Sequence, residues 1–230
     1  MDIPKSCNCQ NCELKPLFFN SVKEEEFTPI CNSKHEQSFA KGTRICIEGE
    51  PIKEFMYLKS GLVKIHKKEN EQRDQIIKIA KPFDYVNLLS IFSDSFYHYS
   101  VTAIEDSVVC YVDMEVIKSL VHTNGDFAMS MIQKMNHTTD SIIETVLEIS
   151  KKNLRGRIAY VLLYFADQVY FSKLFELPMT RKEVAEYIEM TTENVIRILS
   201  EFRKDGILKI NGKFIEIVNH SRLQQIMEHG

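Results

Sequence analysis

The stretch 178–218 constrains the fold of this chain more than any other part of the sequence. Thr180 and Glu183 have the spacing of a capping box, which starts a helix. Further on, Asn-Gly at 211–212 separates two runs rich in β-branched residues, the strongest short-range signal for a β-hairpin. Gly206 is well suited to end the helix that precedes this hairpin. Two short helices followed by a hairpin predict a winged helix-turn-helix.

The second helix of the predicted motif carries a polar face suited to DNA. Thr191 or Thr192 can cap its start, and its solvent face combines the carboxylate of Glu193 with the guanidinium of Arg197. Arginine can bond guanine O6 and N7, and glutamate can accept from cytosine N4. The alternative is a surface salt bridge between residues i and i+4, worth about 0.2–0.5 kcal/mol. Within a complete helix-turn-helix with a wing, DNA recognition is favoured.

The region 40–112 is typical of β-structure, because short runs of β-branched and aromatic residues alternate with turn signals. Ser60 and Gly61 separate "FMYLK" from "LVKIHK", which predicts a hairpin between these two runs. "KENEQRD" is predicted to be a polar loop ahead of the strand "QIIKIA". Several short strands with little helix between them predict a small antiparallel barrel or sandwich.

A long helix is predicted next, because 126–153 contains no proline or glycine. Its residues follow the alternating 3,4 spacing of a heptad seam, which favours pairing with a second subunit. The alternative is a core helix of a monomer, and the threonines weaken the seam. The predicted dimer interface consists of Met131, Met135, Thr138, Ile142, Thr145 and Ile149. The apolar surface is widened by Ile132, Ile143, Val146 and Leu147.

Composition narrows the class of protein. The chain has 230 residues, and 151–230 carries 13 Lys+Arg against 10 Asp+Glu, a balance compatible with nucleic-acid binding. No run reaches the roughly 18 apolar residues of a membrane helix, and 1–15 lacks the apolar core of a signal peptide. A cytoplasmic location is therefore expected, where the six cysteines stay reduced. No Ser-His-Asp set, phosphate loop or metalloprotease motif supports an enzyme, and the wing argues against a coiled-coil adaptor.

Two segments carry a resemblance to a known family: "MTRKEVAEYIEMTTENVIRILSEFRKDGILKINGKFIEI" and "SKKNLRGRIAYVL". With the order barrel, long helix, winged helix, the sequence resembles the CRP/FNR family of bacterial transcription regulators. It is closer to the FNR branch than to the cyclic-AMP receptor branch. The resemblance implies a homodimer that binds a palindromic site on double-stranded DNA and acts with RNA polymerase.

The fold that this resemblance implies is α+β. An N-terminal antiparallel β-barrel or jelly roll, similar to a cyclic-nucleotide-binding domain, precedes a long dimerisation helix and a C-terminal winged helix-turn-helix. The expected divisions are a cysteine-containing segment 1–20, a β-barrel sensor domain 21–122, the dimerisation helix and hinge 123–153, and the DNA-binding domain 154–230.

The resemblance also assigns roles in DNA binding. Carried over by position, Glu193 and Arg197 would contact the G·C pair of a G-A step in each half-site. Thr192 and Ile196 would tune the flanking bases, and Arg181 would hold a phosphate. The complete predicted DNA-binding set is Thr180, Arg181, Thr191, Thr192, Glu193, Ile196, Arg197, Ser200 and Lys213.

Cyclic AMP is not expected as the effector. In the cyclic-AMP branch a Gly-Glu step and an Arg-Ser pair bind ribose and phosphate, whereas this sequence has Asn87-Leu88 and Tyr99-Ser100 at those places. The carboxylate and the arginine are both missing, and a buried phosphate without a positive partner is costly. Another small molecule in the same domain stays open.

The cysteines raise the question of a metal. The FNR branch binds a [4Fe-4S] cluster through three N-terminal cysteines and one in the barrel, and the resemblance places Cys9, Cys12 and Cys110 at three of these positions. Phe18 stands at the fourth, so Cys7 would have to substitute in a tighter spacing than such clusters usually have. A zinc site or a dithiol switch is an alternative. A further one is no metal at all, with Cys110 a core thiol.

Overall fold

The computed structural model describes residues 20–70 and 73–230. The chain divides into two compact units. One contains the residues up to Lys67 together with Ile77–Asp140, and the other contains Lys68–Ile76 together with Ser141–Gly230. The cysteines of the N-terminal segment, Cys7, Cys9 and Cys12, lie outside the described residues.

The first unit consists of two antiparallel sheets and helices. One sheet has the order β1-β7-β3 and the other β2-β6-β4-β5. A short 3₁₀ turn, Glu24–Glu26, comes before the first helix. The strands and helices are α1 Phe27–Ser33, β1 His35–Phe39, β2 Arg44–Cys46, β3 Glu54–Ser60, β4 Val63–Asn70, β5 Arg73–Ala80, β6 Ser100–Ala103, β7 Ser107–Asp113, α2 Met114–Thr123 and α3 Gly125–Lys151.

Strands β3 and β7 are buried on both faces. Met56 and Val109 point into a core shared by the two sheets. Phe55 and Cys110 alternate with them and point to the opposite face, where they pack with residues of α1, α2 and α3. Because side chains alternate along a strand, one strand supplies both cores. The predicted antiparallel β-structure is therefore confirmed as two packed sheets with a helical layer.

The hairpin predicted at Ser60 and Gly61 is wrong. Strand β3 pairs with β7, and β4 pairs with β6, so this turn carries the chain from one sheet to the other. Gly61 has φ of 83°, and a Cβ built there would lie 2.4 Å from the Asp106 carbonyl oxygen, which restricts the position to glycine. The turn signal predicted a chain reversal, but it carried no information about the pairing partners.

The polar loop predicted over "KENEQRD" is wrong for its described residues, 68–70 and 73–74, which are in strands. Strand β4 continues to Asn70 and β5 begins at Arg73. Along β4, Val63–His66 are buried while Lys67–Asn70 are exposed. A strand that leaves the core presents both of its faces to solvent, so its sequence is polar without being a loop.

The second unit contains the C-terminal elements. They are α4 Leu154–Leu163, a π-helical segment Tyr164–Val169, β8 Leu174–Glu176, α5 Arg181–Tyr187, α6 Thr192–Lys204, β9 Leu208–Asn211, β10 Phe214–Ile217 and α7 His220–His229. Asn153 starts α4 by accepting hydrogen bonds from the backbone N–H groups of Arg155 and Gly156. The sheet has the order β8-β10-β9, and Gly212 turns between β9 and β10 with φ of 60°. Two helices and a β-hairpin thus form the predicted winged helix-turn-helix.

Among the helices of 20–70 and 73–230, none is both long and apolar enough to cross a bilayer.

Candidate nucleic-acid interface

The two helices of the motif begin at the predicted caps. The Thr180 hydroxyl accepts from the backbone N–H of Glu183 at 3.2 Å, and the Glu183 carboxylate accepts from the backbone N–H of Thr180 at 2.8 Å. Thr191 caps α6 by accepting from the backbone N–H of Asn194 at 3.3 Å. These reciprocal bonds satisfy donors that a helix start would otherwise leave unpaired.

Helix α6 separates an apolar side from a polar side. Val195, Ile198, Leu199 and Phe202 are buried, with at most 4% of their surface exposed. On the opposite side Glu193, Ile196 and Arg197 are exposed, whereas Thr192 and Ser200 at its edges are half-buried. Ile196 leaves 55% of its surface in solvent although it is apolar. The exposed side therefore carries a carboxylate, a guanidinium and an apolar side chain next to one another.

The surface salt bridge considered between Glu193 and Arg197 does not occur. Arg197 instead turns towards the C-terminal end of α6, where its Nη1 donates to Glu201 Oε1 at 2.5 Å. Its Nη2 donates to Asn194 Oδ1 at 3.2 Å. Sequence analysis did not identify Asn194 or Glu201 as part of the site, although the i,i+4 spacing of Arg197 and Glu201 was a visible signal.

Glu193 keeps its carboxylate at the start of the helix. A hydrogen bond from its own backbone N–H lowers the pKa of this carboxyl, and the Thr191 side chain lowers it further. Glu193 is therefore a carboxylate acceptor at neutral pH, as contact with a cytosine amino group requires.

Glu201 also binds a second arginine. Arg155, at the start of α4, donates through Nη1 to Glu201 Oε2 at 2.6 Å and through Nη2 to Asp205 Oδ2 at 2.9 Å. The Arg155 guanidinium lies over the Phe202 ring, 4.8 Å from its centroid. Arg155 and Glu201 are 46 positions apart in the sequence, so no local pattern could have predicted this pair.

Two basic residues of the predicted set lie away from α6. Arg181, half-buried at the start of α5, donates through Nη2 to the carbonyl oxygen of Gly212 at 3.4 Å. It thereby connects the first helix of the motif to the turn of the wing. Lys213 is exposed in that turn.

Some residues of the predicted dimer seam on α3 pack within their own chain. Met131 and Ile149 are buried within the chain, at 2% and 6% exposure, and Met135 packs against the helical core of the first unit. Met131 and Ile149 therefore leave little surface for a partner subunit, whereas Met135 is half-buried. The other three seam residues, Thr138, Ile142 and Thr145, are half-buried.

A different stripe of α3 faces solvent. Met129, Ile132, Ile143 and Val146 are apolar and each exposes more than half of its surface. With the exposed polar residues Asn136, Thr139 and Ser150, they follow the 3,4 spacing 129, 132, 136, 139, 143, 146, 150. Leu147 lies beside this stripe at 49% exposure. We call these eight positions the outer stripe.

The positions compared with the cyclic-AMP branch have structural partners. The buried Asn87 side chain accepts from the Met56 backbone N–H at 3.0 Å and donates to the Glu54 carbonyl oxygen at 2.8 Å. The Ser100 hydroxyl accepts from the backbone N–H of Glu48 at 3.0 Å. These side chains hold strands and loops of the first unit together.

Cys110 lies in the helical core of the first unit. Its surface is 0% exposed, its Sγ is 3.5 Å from Glu36 Oε1, and burial raises the pKa of the thiol to about 12. A cluster or zinc ligand has to be a thiolate that the metal can reach. Within 20–70 and 73–230, no three side chains of a ligand type converge. Of the four predicted ligands, the structure describes only Cys110, which lies in the core as a buried thiol.

Comparison with known proteins agrees with this architecture. The model of the cyclic nucleotide-binding domain matches residues 36–124, and that of the Crp-like helix-turn-helix domain matches 156–226. Electron transport regulator A of Shewanella oneidensis is 26% identical over 224 residues, which cover 94% of this chain and 88% of that protein. The fumarate and nitrate reduction regulatory protein of Escherichia coli is 27% identical over 229 residues, which cover 96% of this chain and 91% of that protein. The structure of FixK2 from Bradyrhizobium japonicum has the same fold, with a TM-score of 0.74 at 24% identity over 84% of this chain and 96% of that one.

A cyclic-nucleotide-binding-like domain joined to a winged helix-turn-helix defines a transcription regulator with its own DNA-binding domain. The chain belongs to the CRP/FNR family, and FNR-type regulators are among its relatives, as the sequence resemblance predicted.

Proposed function

We propose that this regulator binds a palindromic DNA site as a homodimer, with α6 of each subunit in the major groove. The observation that carries the proposal is the exposed side of α6, where Glu193, Ile196 and Arg197 lie together above a buried apolar side. A helix fixed from behind can present its N-terminal half to base edges without losing its packing.

Arg197 would contact guanine and Glu193 cytosine, while Ile196 is placed to touch a thymine methyl group. The remaining predicted residues have supporting roles. Thr192 and Ser200 flank these positions. Helix starts bind phosphates well, which suits Thr180, Arg181 and Thr191, and Lys213 would contact phosphate from the wing.

We place the dimer contact on the outer stripe of α3. An isolated apolar side chain on a surface needs no partner, but a heptad-spaced row of them is typical of a paired helix. Asn136, Thr139 and Ser150 also lie in this row, and polar residues in a coiled-coil seam specify register at a cost in stability. The outer stripe is thus preferred here to the predicted seam, in which Met131 and Ile149 are buried within the chain.

The effector is proposed to be a small molecule held by the first unit. Cyclic AMP does not suit Asn87 and Ser100, whose polar groups are engaged with the backbone. A [4Fe-4S] cluster would need Cys110 as a thiolate together with Cys7, Cys9 and Cys12, and the burial of Cys110 does not support this. We infer control by a ligand without a role for Cys110 as a metal ligand.

The proposal has consequences for partners and place of action. A DNA-binding regulator acts where the chromosome is, which favours the cytoplasm, and it would act with RNA polymerase at promoters. We propose no catalytic activity, since the named relatives are regulators.

Selection of binding sites from random DNA tests the proposed function. The wild type is expected to enrich a palindrome whose half-sites lie about one helical turn, roughly 34 Å, apart. Affinity for the selected site should fall steeply as salt rises, because phosphate contacts release counterions. Failure to enrich any motif, with binding equal on all DNA, would contradict the proposal.

A further inference from the structure

We propose that Glu201 is a positioning residue that sets how strictly Arg197 selects its base. This inference rests on the proposed function, because it concerns the same face of α6. It adds a residue that sequence analysis did not identify and that the proposed contacts to DNA do not use.

The carboxylate of Glu201 joins two arginines. Oε1 receives Arg197 Nη1 at 2.5 Å and Oε2 receives Arg155 Nη1 at 2.6 Å. Both oxygens are occupied, and the Glu201 side chain is 33% exposed. A carboxylate used from both sides is fixed in orientation, unlike one in a single surface pair.

Arg155, the second arginine bound to Glu201, is held in place by further contacts within the same domain. Arg155 also binds Asp205 at 2.9 Å and covers the ring of Phe202, which is fully buried. An isolated surface ion pair contributes little, in part because two long side chains lose conformational freedom. Here Arg155 is already held by Asp205 and Phe202, so Glu201 meets a preformed partner.

Glu201 also fixes the orientation of Arg197. Its guanidinium is held on one side by Glu201 and on the other by Asn194 Oδ1 at 3.2 Å. A guanidinium has five N–H donors, so three stay available for a base edge. An arginine that is fixed before binding loses less freedom when it contacts guanine.

The negative charge of Glu201 also opposes contact between Arg197 and the phosphate backbone. A mobile arginine on a DNA-facing helix readily binds phosphate, which strengthens binding to every sequence and adds no selectivity. Glu201 offers Arg197 a competing carboxylate and repels the phosphate backbone. On non-specific DNA, Arg197 stays with Glu201, whereas guanine can use the donors that remain. Glu201 therefore widens the ratio between specific and non-specific affinity.

The test compares Glu201→Gln with Glu201→Asp and a remote control. Glu201→Gln removes the charge and keeps the size. It should raise affinity for random-sequence DNA about 3–10-fold, make the slope of log affinity against log salt steeper by about one, and lower the specificity ratio about fivefold or more. Glu201→Asp keeps the charge but is too short to hold both arginines, so it should lower the ratio and leave the slope unchanged. Glu115→Gln changes the net charge equally on α2, where Glu115 is exposed and paired with Lys118, and should change neither quantity.

A double-mutant cycle separates this inference from simple charge removal. In the Arg197→Ala background, Glu201→Gln should no longer change the specificity ratio. The inference is overturned if both Glu201 variants keep the wild-type ratio and slope, or if the loss of selectivity persists without Arg197. The proposed function fails on different grounds: the wild type would then enrich no motif and bind all DNA equally. Far-ultraviolet circular dichroism shows which variants are folded, and Glu201→Asp keeps the test informative if Glu201→Gln unfolds.

Discussion

Helices α3 and α6 are both amphipathic, but their outer sides differ. The outer side of α6 combines Glu193 and Arg197 with the exposed Ile196, whereas five of the eight positions of the outer stripe of α3 are Met, Ile, Val or Leu. Both helices bury an apolar side within the chain. What each leaves exposed therefore indicates the chemistry of its partner.

The difference teaches which partner each surface fits. The exposed charges of Glu193 and Arg197 are well solvated in free protein and can form specific hydrogen bonds at base edges, so α6 suits DNA. Apolar side chains at heptad spacing gain only by leaving water, so the outer stripe suits a second apolar helix. On α3 the two sides are both apolar, and only burial within the chain distinguishes the inner side from the outer one.

The largest expected effect separates the two sides of α3. Changing both Ile143 and Val146 to Glu places charges on the outer stripe, which should give folded monomers and abolish binding to the selected palindrome. Sedimentation equilibrium measures the subunit number, and circular dichroism measures the fold. A variant that stays dimeric on and off DNA would contradict the assignment of the outer stripe.

The matched change on the inner side is Met131→Glu. Met131 is 2% exposed, and an unpaired charge there should destabilise the first unit by more than about 3 kcal/mol. Chemical denaturation should show this loss of folding free energy. If Met131→Glu instead gives a stable monomer, the seam predicted from the sequence is the true interface.

The next effect concerns the outer side of α6. Arg197→Ala should cost about 1–3 kcal/mol per half-site and relax the preference at one base pair, because a bidentate contact to guanine is lost. Binding-site selection and titration of the selected site measure both quantities. The same motif at unchanged affinity would remove Arg197 from the base-contacting residues.

How far the sequence predicts this molecule depends on the range of the interaction. The caps at Thr180 and Thr191 and the turn at 211–212 follow from neighbouring residues, and the structure contains them. The hairpin at Ser60 and Gly61 was wrong because strand pairing is decided by distant strands, which a turn signal does not encode. The heptad spacing of α3 was visible, but two apolar stripes on one helix cannot be ranked without the fold.

The site was predictable to the same extent. Glu193 and Arg197 were identified because a helix-turn-helix fixes which positions of its second helix are exposed. Glu201 was missed because its role depends on Arg155, which the fold brings to α6 from a separate helix. The i,i+4 spacing to Arg197 was visible, but a charged residue on a helix surface is usually solvated, so the spacing alone did not mark Glu201 as part of the site.

A smaller effect is expected at the Thr191 cap, which starts helix α6. Thr191→Ala removes the acceptor for the Asn194 backbone N–H and should cost about 1 kcal/mol at the helix start. Amide hydrogen exchange of the first turn of α6 should then be severalfold faster. The control is Thr123→Ala, since the Thr123 hydroxyl donates to a carbonyl within α2 and caps no helix start. Equal exchange in the wild type and Thr191→Ala would show that packing alone fixes the start of α6.

The smallest expected effect is at Cys110. Burial keeps its thiol protonated, since a pKa of about 12 leaves almost no thiolate at pH 8. Iodoacetamide should therefore label the half-buried Cys31 before Cys110 in the native protein.

After anaerobic reconstitution, Cys110→Ser should contain the same iron and sulfide as the wild type, and oxygen should not change DNA affinity differently in the two proteins. Iron and sulfide that are bound by the wild type and lost in Cys110→Ser would show that Cys110 can leave the core as a thiolate, because a metal stabilises the deprotonated ligand. The helical core would then have a second arrangement, and the cluster implied by the FNR resemblance would be its cause.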